Sequence, residues 1–320
     1  MWPSPMQVSF VIPLYNCLPL TQAMVASLQA SLPAGLAHEI ILVDDGSTDG
    51  TRDWLHGLTA PPGPFRVLLN EHNLGYAGAN NHGAALAQGE FLALLNNDLV
   101  LAPGWFEPLL AVHRRLGDRA GLVGNIQLNA RTGAVDHAGI FINHQGKPVH
   151  TRSLPLGRRF RPLDAWRPAD AVTGACTLVR RDLFTRLGGF DEGFVNGGED
   201  VDLCLRSHAA GAVSAVALRS VVRHHVSASP GRKLRDEQNS RRLTRRWRDE
   251  LARLAARSSW SAHYLESQWT SPHDPREHAL ARQALGYVLH LRRDPPDAAL
   301  AGMQAAIAHE LDRWDQLLGP

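Results

Sequence analysis

Residues 39–51 read EIILVDDGSTDGT, and this stretch indicates the class of fold. An apolar, β-prone run stops at two carboxylates and a Gly-Ser turn, after which Ser47 or Thr48 can cap a short helix. A buried strand that leads directly into a helix is typical of a βαβ unit. The stretch therefore predicts one repeat of a parallel sheet, with polar side chains where its strand ends.

The neighbouring segments continue the same alternation in both directions. Apolar strands are predicted at 8–16, 65–71 and 90–98, with helices at 20–31 and 77–88. Short apolar strands separated by helices predict a parallel sheet covered on both faces, which is an α/β fold. Ligands of such sheets bind outside the carboxyl ends of the strands. We therefore expect a Rossmann-like, mostly parallel sheet with its functional site at that edge.

The second half of the chain changes character near Pro230. Before it, strands are predicted at 170–181 and 212–225, with a helix from residue 199. After it, three helical segments follow, broken by SPHDP and DPP. We expect two domains, with the sheet in residues 1–230 and a helical extension in residues 231–320.

The composition fits an ordinary globular protein, because the 320 residues have a formal net charge of +2 and are 44% hydrophobic. No apolar run is long enough to span a bilayer, and the N-terminus lacks the pattern of a signal peptide. The three cysteines fit neither a disulfide framework nor a zinc site. We expect a cytoplasmic protein.

The charge is unevenly distributed, because residues 231–257 hold ten basic and four acidic side chains, a local net of +6. This basic segment favours a solvated helix whose arginines pair with Asp249 and Glu250. Peripheral contact with the inner face of a membrane and a homodimer interface remain open for it. Nucleic-acid binding would explain the segment but none of the first 230 residues, so we expect no nucleic-acid partner.

Polar clusters follow two of the predicted strands. Asp44 and Asp45 can accept hydrogen bonds from a nucleotide base or ribose, although aspartate is also common at turns. Asp98 ends the run Asn96-Asn97-Asp98 and can ligate Mg²⁺ or Mn²⁺, since such ions need only one or two protein ligands beside substrate phosphates. Helix capping before Pro103 is the alternative role for this run.

Two further clusters have titratable side chains. Glu199, Asp200 and Asp202 follow two glycines, which suits either a helix cap or a general base on a moving loop. His224 and His225 end the last strand as structural residues or metal ligands. The chain has no P-loop, no GxGxxG after its first strand and no GxSxG turn, so these motifs support neither a P-loop NTPase, a Rossmann dehydrogenase nor an α/β-hydrolase.

Seven segments, taken in order, resemble glycosyltransferase family 2, which has the GT-A fold. Each segment is modest, but the ordered set is very specific and extends over about residues 7–247. The chain is most similar to the soluble, bacterial, rhamnosyltransferase-like members. The segments are VSFVIPLYN (8–16), ILVDDGSTDGT (41–51), NLGYAGANNHG (73–83), LLNND (94–98), TGACTLVRRDLFTRLGGFDEGF (173–194), GEDVDLCLR (198–206) and HHVSAS (224–229).

The resemblance implies an inverting hexosyltransferase that moves a sugar from a UDP- or dTDP-sugar to a hydroxyl of a glycan or lipid-linked acceptor in surface polysaccharide synthesis. Asp200 matches the family's catalytic base, with Glu199 positioning the acceptor or the base. The implied metal ion, Mn²⁺ or Mg²⁺, lies at Asp98 and His224, with His225 as the alternative to His224. The implied nucleotide-sugar-binding residues are Pro13, Tyr15, Asn16, Asp44, Asp45, Asn73, Gly75, Asn96 and Asn97.

Two departures from the family's patterns refine this expectation. Asn96 and Asn97 stand in the DxD position, so metal binding depends on Asp98 alone among these three residues. LTRRW (243–247) replaces the QxxRW motif of processive synthases, which favours the addition of one or a few sugars. A nucleotidyltransferase and an inactive nucleotide-sugar-binding relative remain open, although residues 16–19 lack the basic, glycine-rich loop that a nucleotidyltransferase needs.

Overall fold

The computed structural model describes residues 7–58, 65–152, 165–225, 235–270, 275–289 and 291–319. By their contacts these residues form two compact units, one from residues 1–140 and 150–235 and the other from residues 141–149 and 236–320. The predicted domain boundary at residue 230 lies outside the described residues. Residues 141–149, which the sequence placed in the first domain, belong to the second unit.

The strands and helices follow one another largely as the alternating pattern predicted. The twelve described strands are β1 (Gln7–Leu14), β2 (Ala37–Asp44), β3 (Phe65–Leu69), β4 (Phe91–Leu95), β5 (Leu99–Val100), β6 (Ala120–Asn129), β7 (Val135–His137), β8 (Ile140–Ile142), β9 (Pro148–His150), β10 (Trp166–Pro168), β11 (Cys176–Arg180) and β12 (Val213–His224). The described α-helices are α1 (Leu18–Ser31), α2 (Thr51–Leu58), α3 (Gly75–Leu86), α4 (Glu107–Leu116), α5 (Arg181–Arg186), α6 (Glu199–Ala209), α7 (Asp236–Ala255), α8 (Ser261–Thr270), α9 (Pro275–Val288) and α10 (Asp297–Leu318).

The first unit is built on one mixed sheet in the order β10-β12-β6-β11-β4-β1-β2-β3. In addition, β5 pairs with β12 and β7 pairs with β6. The strands β3, β2, β1 and β4 are parallel, as predicted, whereas β11 runs antiparallel to both β4 and β6. The carboxyl ends of β1, β2 and β4 therefore meet at one edge, where the polar clusters lie.

The core of the first unit forms because the parallel strands are apolar on both faces. Phe10 on β1 lies 6.3 Å from Trp105 and 5.6 Å from Phe106 between ring centroids, and all three rings are buried. The predicted strand at 170–181 is strand only over Cys176–Arg180, because Gly174 and Ala175 form a turn that precedes it. This turn contributes to the site described below.

The second unit packs α7 against α10 and takes in the tip of the β8–β9 hairpin. Lys147 of the hairpin pairs with Glu310 at 2.9 Å, and the carbonyl of Ile142 accepts hydrogen bonds from Ser258 and Ser259. These side-chain contacts assign the hairpin tip to this unit. Among the described residues, no helix is both long and apolar enough to cross a membrane.

Candidate active site

A cavity of about 410 Å³ opens at the carboxyl edge of the first unit's sheet. It brings together residues from the ends of β1, β2 and β4, the start of α3, the turn before β11 and the start of α6. Ten of the residues predicted from the sequence line it: Pro13, Tyr15, Asp45, Asn73, Gly75, Asn96, Asn97, Asp98, Glu199 and Asp200.

Asp45 is buried at the end of β2 and is held by three hydrogen bonds. Its Oδ1 accepts from the side chain of Asn70 at 2.8 Å and from the amide of Leu74 at 2.9 Å. Its Oδ2 accepts from the amide of Gly75 at 2.9 Å. The carboxylate thus fixes the start of α3 and keeps one acceptor position on Oδ2, since an ionised carboxylate accepts about four hydrogen bonds.

Asp44 and Asn16 were predicted to bind the nucleotide, but they do not line the cavity. Successive side chains of an extended strand face opposite sides, so only one of the two neighbouring aspartates faces the cavity. Asp44 is fully buried and accepts from Arg52 Nε at 2.7 Å. Asn16, with a φ of 55°, accepts from the amide of Thr48 at 2.8 Å. Both therefore brace the loop after β2.

Asp98 lines the other side of the cavity and meets His224, which does not itself line the cavity, because β5 pairs with the end of β12. His224 Nε2 lies 3.1 Å from Asp98 Oδ1, and both residues are buried. The distance is that of an ion pair, but the angles are not those of a hydrogen bond, and neither atom has another hydrogen-bond partner among the described residues. A buried carboxylate and imidazole in this state fit a divalent cation.

The described residues include no group of three or more His, Cys, Asp or Glu that could hold a metal ion. Asp98 and His224 would therefore supply two ligands, and substrate phosphates and water the others. Asn96 adds one more polar atom at this edge, because its buried Oδ1 also has no hydrogen-bond partner in the described chain. Asn97 instead donates to Thr21 Oγ1 at 2.9 Å.

A second buried histidine lies near His224. His137 Nδ1 is 3.1 Å from His150 Nδ1, and the ring is fully buried. Burial lowers the pKa of His137 well below its usual range, and the nearby His150, Arg167 and His224 act in the same direction. His137 is therefore neutral near pH 7 and adds no positive charge beside the predicted metal ligands.

Glu199 and Asp200 open α6, directly after Gly198, whose φ is 93°. Asp200 Oδ2 accepts from the amide of Gly174 at 3.0 Å, and Oδ1 accepts from the amide of Val201 at 2.8 Å. Glu199 is buried and accepts from the amide of Gly197 at 2.7 Å. The third carboxylate of the cluster, Asp202, faces away and pairs with Arg206 at 2.8 Å.

Tyr76 links the start of α3 to the support of Asp200. Its hydroxyl donates to the carbonyl of Gly174 at 2.7 Å, while the amide of the same glycine donates to Asp200. A Cβ on Gly174 would lie 2.5 Å from the Tyr76 hydroxyl, so the site requires glycine there. Tyr76 thus connects the start of α3, which Asp45 holds in place, to the candidate general base Asp200.

The sequence prediction missed several lining residues: Leu14, Tyr76, Ala79, Thr173, Gly174, Ala175 and Asn196. Tyr76 and the run Thr173-Gly174-Ala175 lie within segments that carried the family resemblance, so their presence there was a usable signal. Asn196 has a φ of 53°, and its Oδ1 lies 3.4 Å from the amide of Tyr76. Its position depends on a loop with no regular pattern, so no comparable signal marks it.

The sheet order, the strand-edge cavity and its carboxylates define the class as a GT-A glycosyltransferase fold. The family model described as Glycosyl transferase family 2 matches residues 9–188, which is more than half of the chain. The chain therefore belongs to glycosyltransferase family 2, as predicted.

Two curated relatives and one solved structure illustrate the similarity. The O-antigen biosynthesis protein RfbC of Myxococcus xanthus is 33% identical over 229 residues, which are 70% of this chain and 18% of RfbC. The N-acetylglucosaminyl-diphospho-decaprenol L-rhamnosyltransferase of Mycobacterium tuberculosis is 30% identical over 68% of this chain and 76% of its own length. GalNAc-T7 with UDP, GalNAc and Mn²⁺ superposes with a TM-score of 0.63 at 19% identity, over 88% of this chain and 55% of GalNAc-T7.

Some of the curated relatives are much longer than this chain. The chain spans 27% and 18% of the length of two of the curated relatives that it matches. At 19% identity, the likeness to GalNAc-T7 shows the fold alone. The family model and the relatives establish the family, and the solved structure shows the fold.

Proposed function

We propose that the chain is an inverting glycosyltransferase that uses a UDP- or dTDP-sugar and a hydroxyl of a glycan or lipid-linked acceptor. The observation that carries the proposal is one cavity lined by Asp45, Asp98 and Asp200, three carboxylates with three different surroundings. The names of RfbC and of the mycobacterial rhamnosyltransferase support a role in building surface polysaccharide.

The hydrogen bonds of Asp45 favour a pyrimidine nucleotide. With both acceptor positions of Oδ1 and one of Oδ2 occupied, the carboxylate retains a single acceptor. Uracil and thymine offer one ring N–H to a carboxylate, whereas guanine offers two adjacent donors that need both oxygens. Tyr15, a cavity-lining residue that is 46% exposed, is available to stack on the base.

The fit of Asp98 and His224 supports a bound Mn²⁺ or Mg²⁺. When bound, such an ion would offset the negative charge that develops on the diphosphate leaving group. Asn96, with its unpartnered Oδ1, is placed to accept a hydrogen bond from a hydroxyl of the donor's ribose or sugar. These three residues account for the recognition of the donor beyond its base.

Asp200 is the proposed general base. Each of its oxygens accepts one backbone hydrogen bond, which fixes the carboxylate and leaves acceptor positions for a substrate hydroxyl. Asp200 takes the proton from the acceptor hydroxyl while the oxygen of that hydroxyl attacks the anomeric carbon of the donor sugar. The bond between the anomeric carbon and the diphosphate breaks at the same time. A direct displacement of this kind inverts the configuration and needs one protein base. Glu199 holds the loop before α6 through Gly197.

Donor choice is tested by thermal-shift measurements with UDP-, dTDP- and GDP-sugars, each with and without Mn²⁺. We expect a metal-enhanced rise in Tm with one pyrimidine donor and none with GDP-sugars. Asp45→Asn should abolish the shift, because it replaces an acceptor with a donor, whereas Asp53→Asn, an exposed position on α2, should keep it. A shift confined to GDP-sugars would contradict the proposed base recognition.

The reaction is tested with Asp200→Asn. We expect transfer of the sugar to glycan or lipid-linked acceptors to fall by roughly 10²–10⁴-fold, the usual contribution of a positioned base, with the donor-induced Tm shift retained. Full activity in this variant would overturn the base assignment. Release of pyrophosphate from a nucleoside triphosphate would favour a nucleotidyltransferase, and donor binding without any turnover an inactive relative.

A further inference from the structure

Exposed apolar and basic residues cluster in the second unit within 282–289 and 291–293. In the part of the chain whose side chains are described, nine large hydrophobic residues are exposed, and four of them lie within seven positions at the end of α9. Their exposed fractions are 47% for Leu285, 40% for Val288, 56% for Leu289 and 79% for Leu291. Such clustering differs from the single exposed apolar residues that are normal on a protein surface.

The side chains come together because the helical turn continues past Val288. The amide of Leu289 donates to the carbonyl of Leu285 at 2.9 Å, and the amide of Leu291 donates to the carbonyl of Gly286 at 2.8 Å. Residues three and four apart on a helix are neighbours, so Leu285, Val288 and Leu289 share one face. We call these aliphatic residues, with Leu291 and the arginines described next, the α9 patch.

Three arginines lie in the same stretch of the chain as the aliphatic residues. Arg282, Arg292 and Arg293 are exposed, and the one acidic residue within 282–294 is Asp294, which is also exposed, so the stretch keeps an excess of positive charge. None of the three forms an ion pair with another residue in the described ranges.

The arginines of α7 differ, although their segment carries the larger formal charge. Arg241 and Arg245 pair with Asp315, and Arg253 pairs with Glu250. These arginines of α7 are therefore held in ion pairs with carboxylates, whereas the three arginines of the α9 patch are not.

We propose that the α9 patch docks the chain onto the surface of an anionic lipid bilayer. Exposed aliphatic side chains can enter the boundary between headgroups and acyl chains, while unpaired arginines attract anionic headgroups. A second copy is disfavoured as the occupant, because a two-fold contact through this patch would bring its own unpaired arginines together. The basic charge thus complements an acidic surface rather than the patch itself.

The test is co-sedimentation of the full chain with vesicles of phosphatidylcholine and with vesicles of an equal mixture of phosphatidylcholine and phosphatidylserine. No sugar donor or acceptor is added, so the outcome is independent of the proposed transfer reaction. We expect binding to the mixed vesicles alone, weakening as salt is raised. Arg292→Gln with Arg293→Gln should weaken binding about 25-fold, at roughly fivefold for each arginine.

The aliphatic contribution is tested with Leu289→Ser and Leu291→Ser together, which should reduce binding at least tenfold. Leu317→Ser, an equally exposed leucine outside the patch, and Arg253→Gln, a paired arginine, are the matched controls and should bind normally. Circular dichroism verifies the fold of each variant. Absence of vesicle binding, equal loss in the controls, or a dimer that the serine variants dissociate would each overturn the proposal.

Discussion

The carboxyl ends of β2 and β4 both bring polar side chains to one cavity, but their hydrogen bonding differs. At the end of β2, Asp44 and Asp45 accept hydrogen bonds from Arg52, Asn70 and the backbone of the following loops. Beyond the end of β4, atoms of Asn96 and Asp98 are buried without a hydrogen-bond partner in the described chain, as are those of His224 at the end of β12 beside Asp98.

This difference separates two kinds of preparation for a ligand. The β2 end is held in place by the protein itself, so it can present one acceptor to a base without rearrangement. The β4 end has buried polar atoms without hydrogen-bond partners in the described chain. They cost free energy unless a ligand forms hydrogen bonds with them or is coordinated by them. Substitutions at the two ends should therefore affect different measurements.

Among the substitutions that compare the two ends, the largest expected effect is that of Asp98→Asn. We expect sugar transfer to fall by roughly 10²–10³-fold, because charge stabilisation by a bound cation is worth several kcal/mol. The thermal stability of the metal-free protein should remain unchanged or rise, since the variant removes a buried carboxylate oxygen without a hydrogen-bond partner. The Mn²⁺-induced Tm shift should disappear. Loss of stability with the metal response intact would contradict this account of the β4 end.

His113 shows whether an unpartnered buried nitrogen alone indicates a metal site. Its Nδ1 has no hydrogen-bond partner in the described residues, and its Nε2 contacts the carbonyl of Leu178 at 2.8 Å. Burial lowers the pKa of His113 to about 4. The unfolded state therefore binds more protons than the folded state between about pH 6.5 and pH 4, so stability falls with acidification across that window.

We expect this histidine to contribute a loss of about 3 kcal/mol in the free energy of unfolding as the pH falls through that window. His113→Gln should remove this contribution and leave the Mn²⁺ response unchanged, as measured by urea unfolding at several pH values. A Mn²⁺ response that depends on His113 would contradict the assignment of the metal to Asp98 and His224.

The next effect in size is that of Asp44→Ala at the braced end. Removal of this buried carboxylate leaves Arg52 Nε and the amide of Ser47 without their acceptor, while Arg52 keeps its hydrogen bond to the carbonyl of Asn70, so the free energy of unfolding should fall by about 2 kcal/mol. Urea unfolding measures this loss, and the nucleotide-induced Tm shift should persist in the variant. Unchanged stability with lost nucleotide binding would instead give Asp44 the direct role predicted from the sequence.

The smallest effect is expected for Tyr76→Phe, which tests whether the bracing extends from α3 to Asp200. The variant loses the hydrogen bond to Gly174, so stability should fall by about 1 kcal/mol. We expect kcat to fall more than donor affinity. The general base, Asp200, loses a hydrogen bond that supports it through Gly174, whereas Asp45, which binds the nucleotide base, keeps its hydrogen bonds. Tyr287→Phe, which removes a comparable hydrogen bond to Arg257 in the second unit, should leave kcat unchanged.

Local patterns were sufficient for the parallel half of the sheet and for most of the cavity lining. Continuous apolar runs predicted β1, β2 and β4, and the polar residues after these runs lie at one edge because parallel strands end on the same side. The antiparallel strand β11 and the turn before it were not predicted in detail, since their pairing with β4 and β6 is not a property of a local run.

The sequence by itself determined the family, the α/β class and the clusters of carboxylates, because these depend on residue type and order. The tertiary structure decided that Asp45 faces the cavity while Asp44 pairs with Arg52, and that Asp98 meets His224. It also assigned residues 141–149 to the second unit. Such outcomes depend on strand register and on contacts between distant segments, which local sequence patterns do not specify.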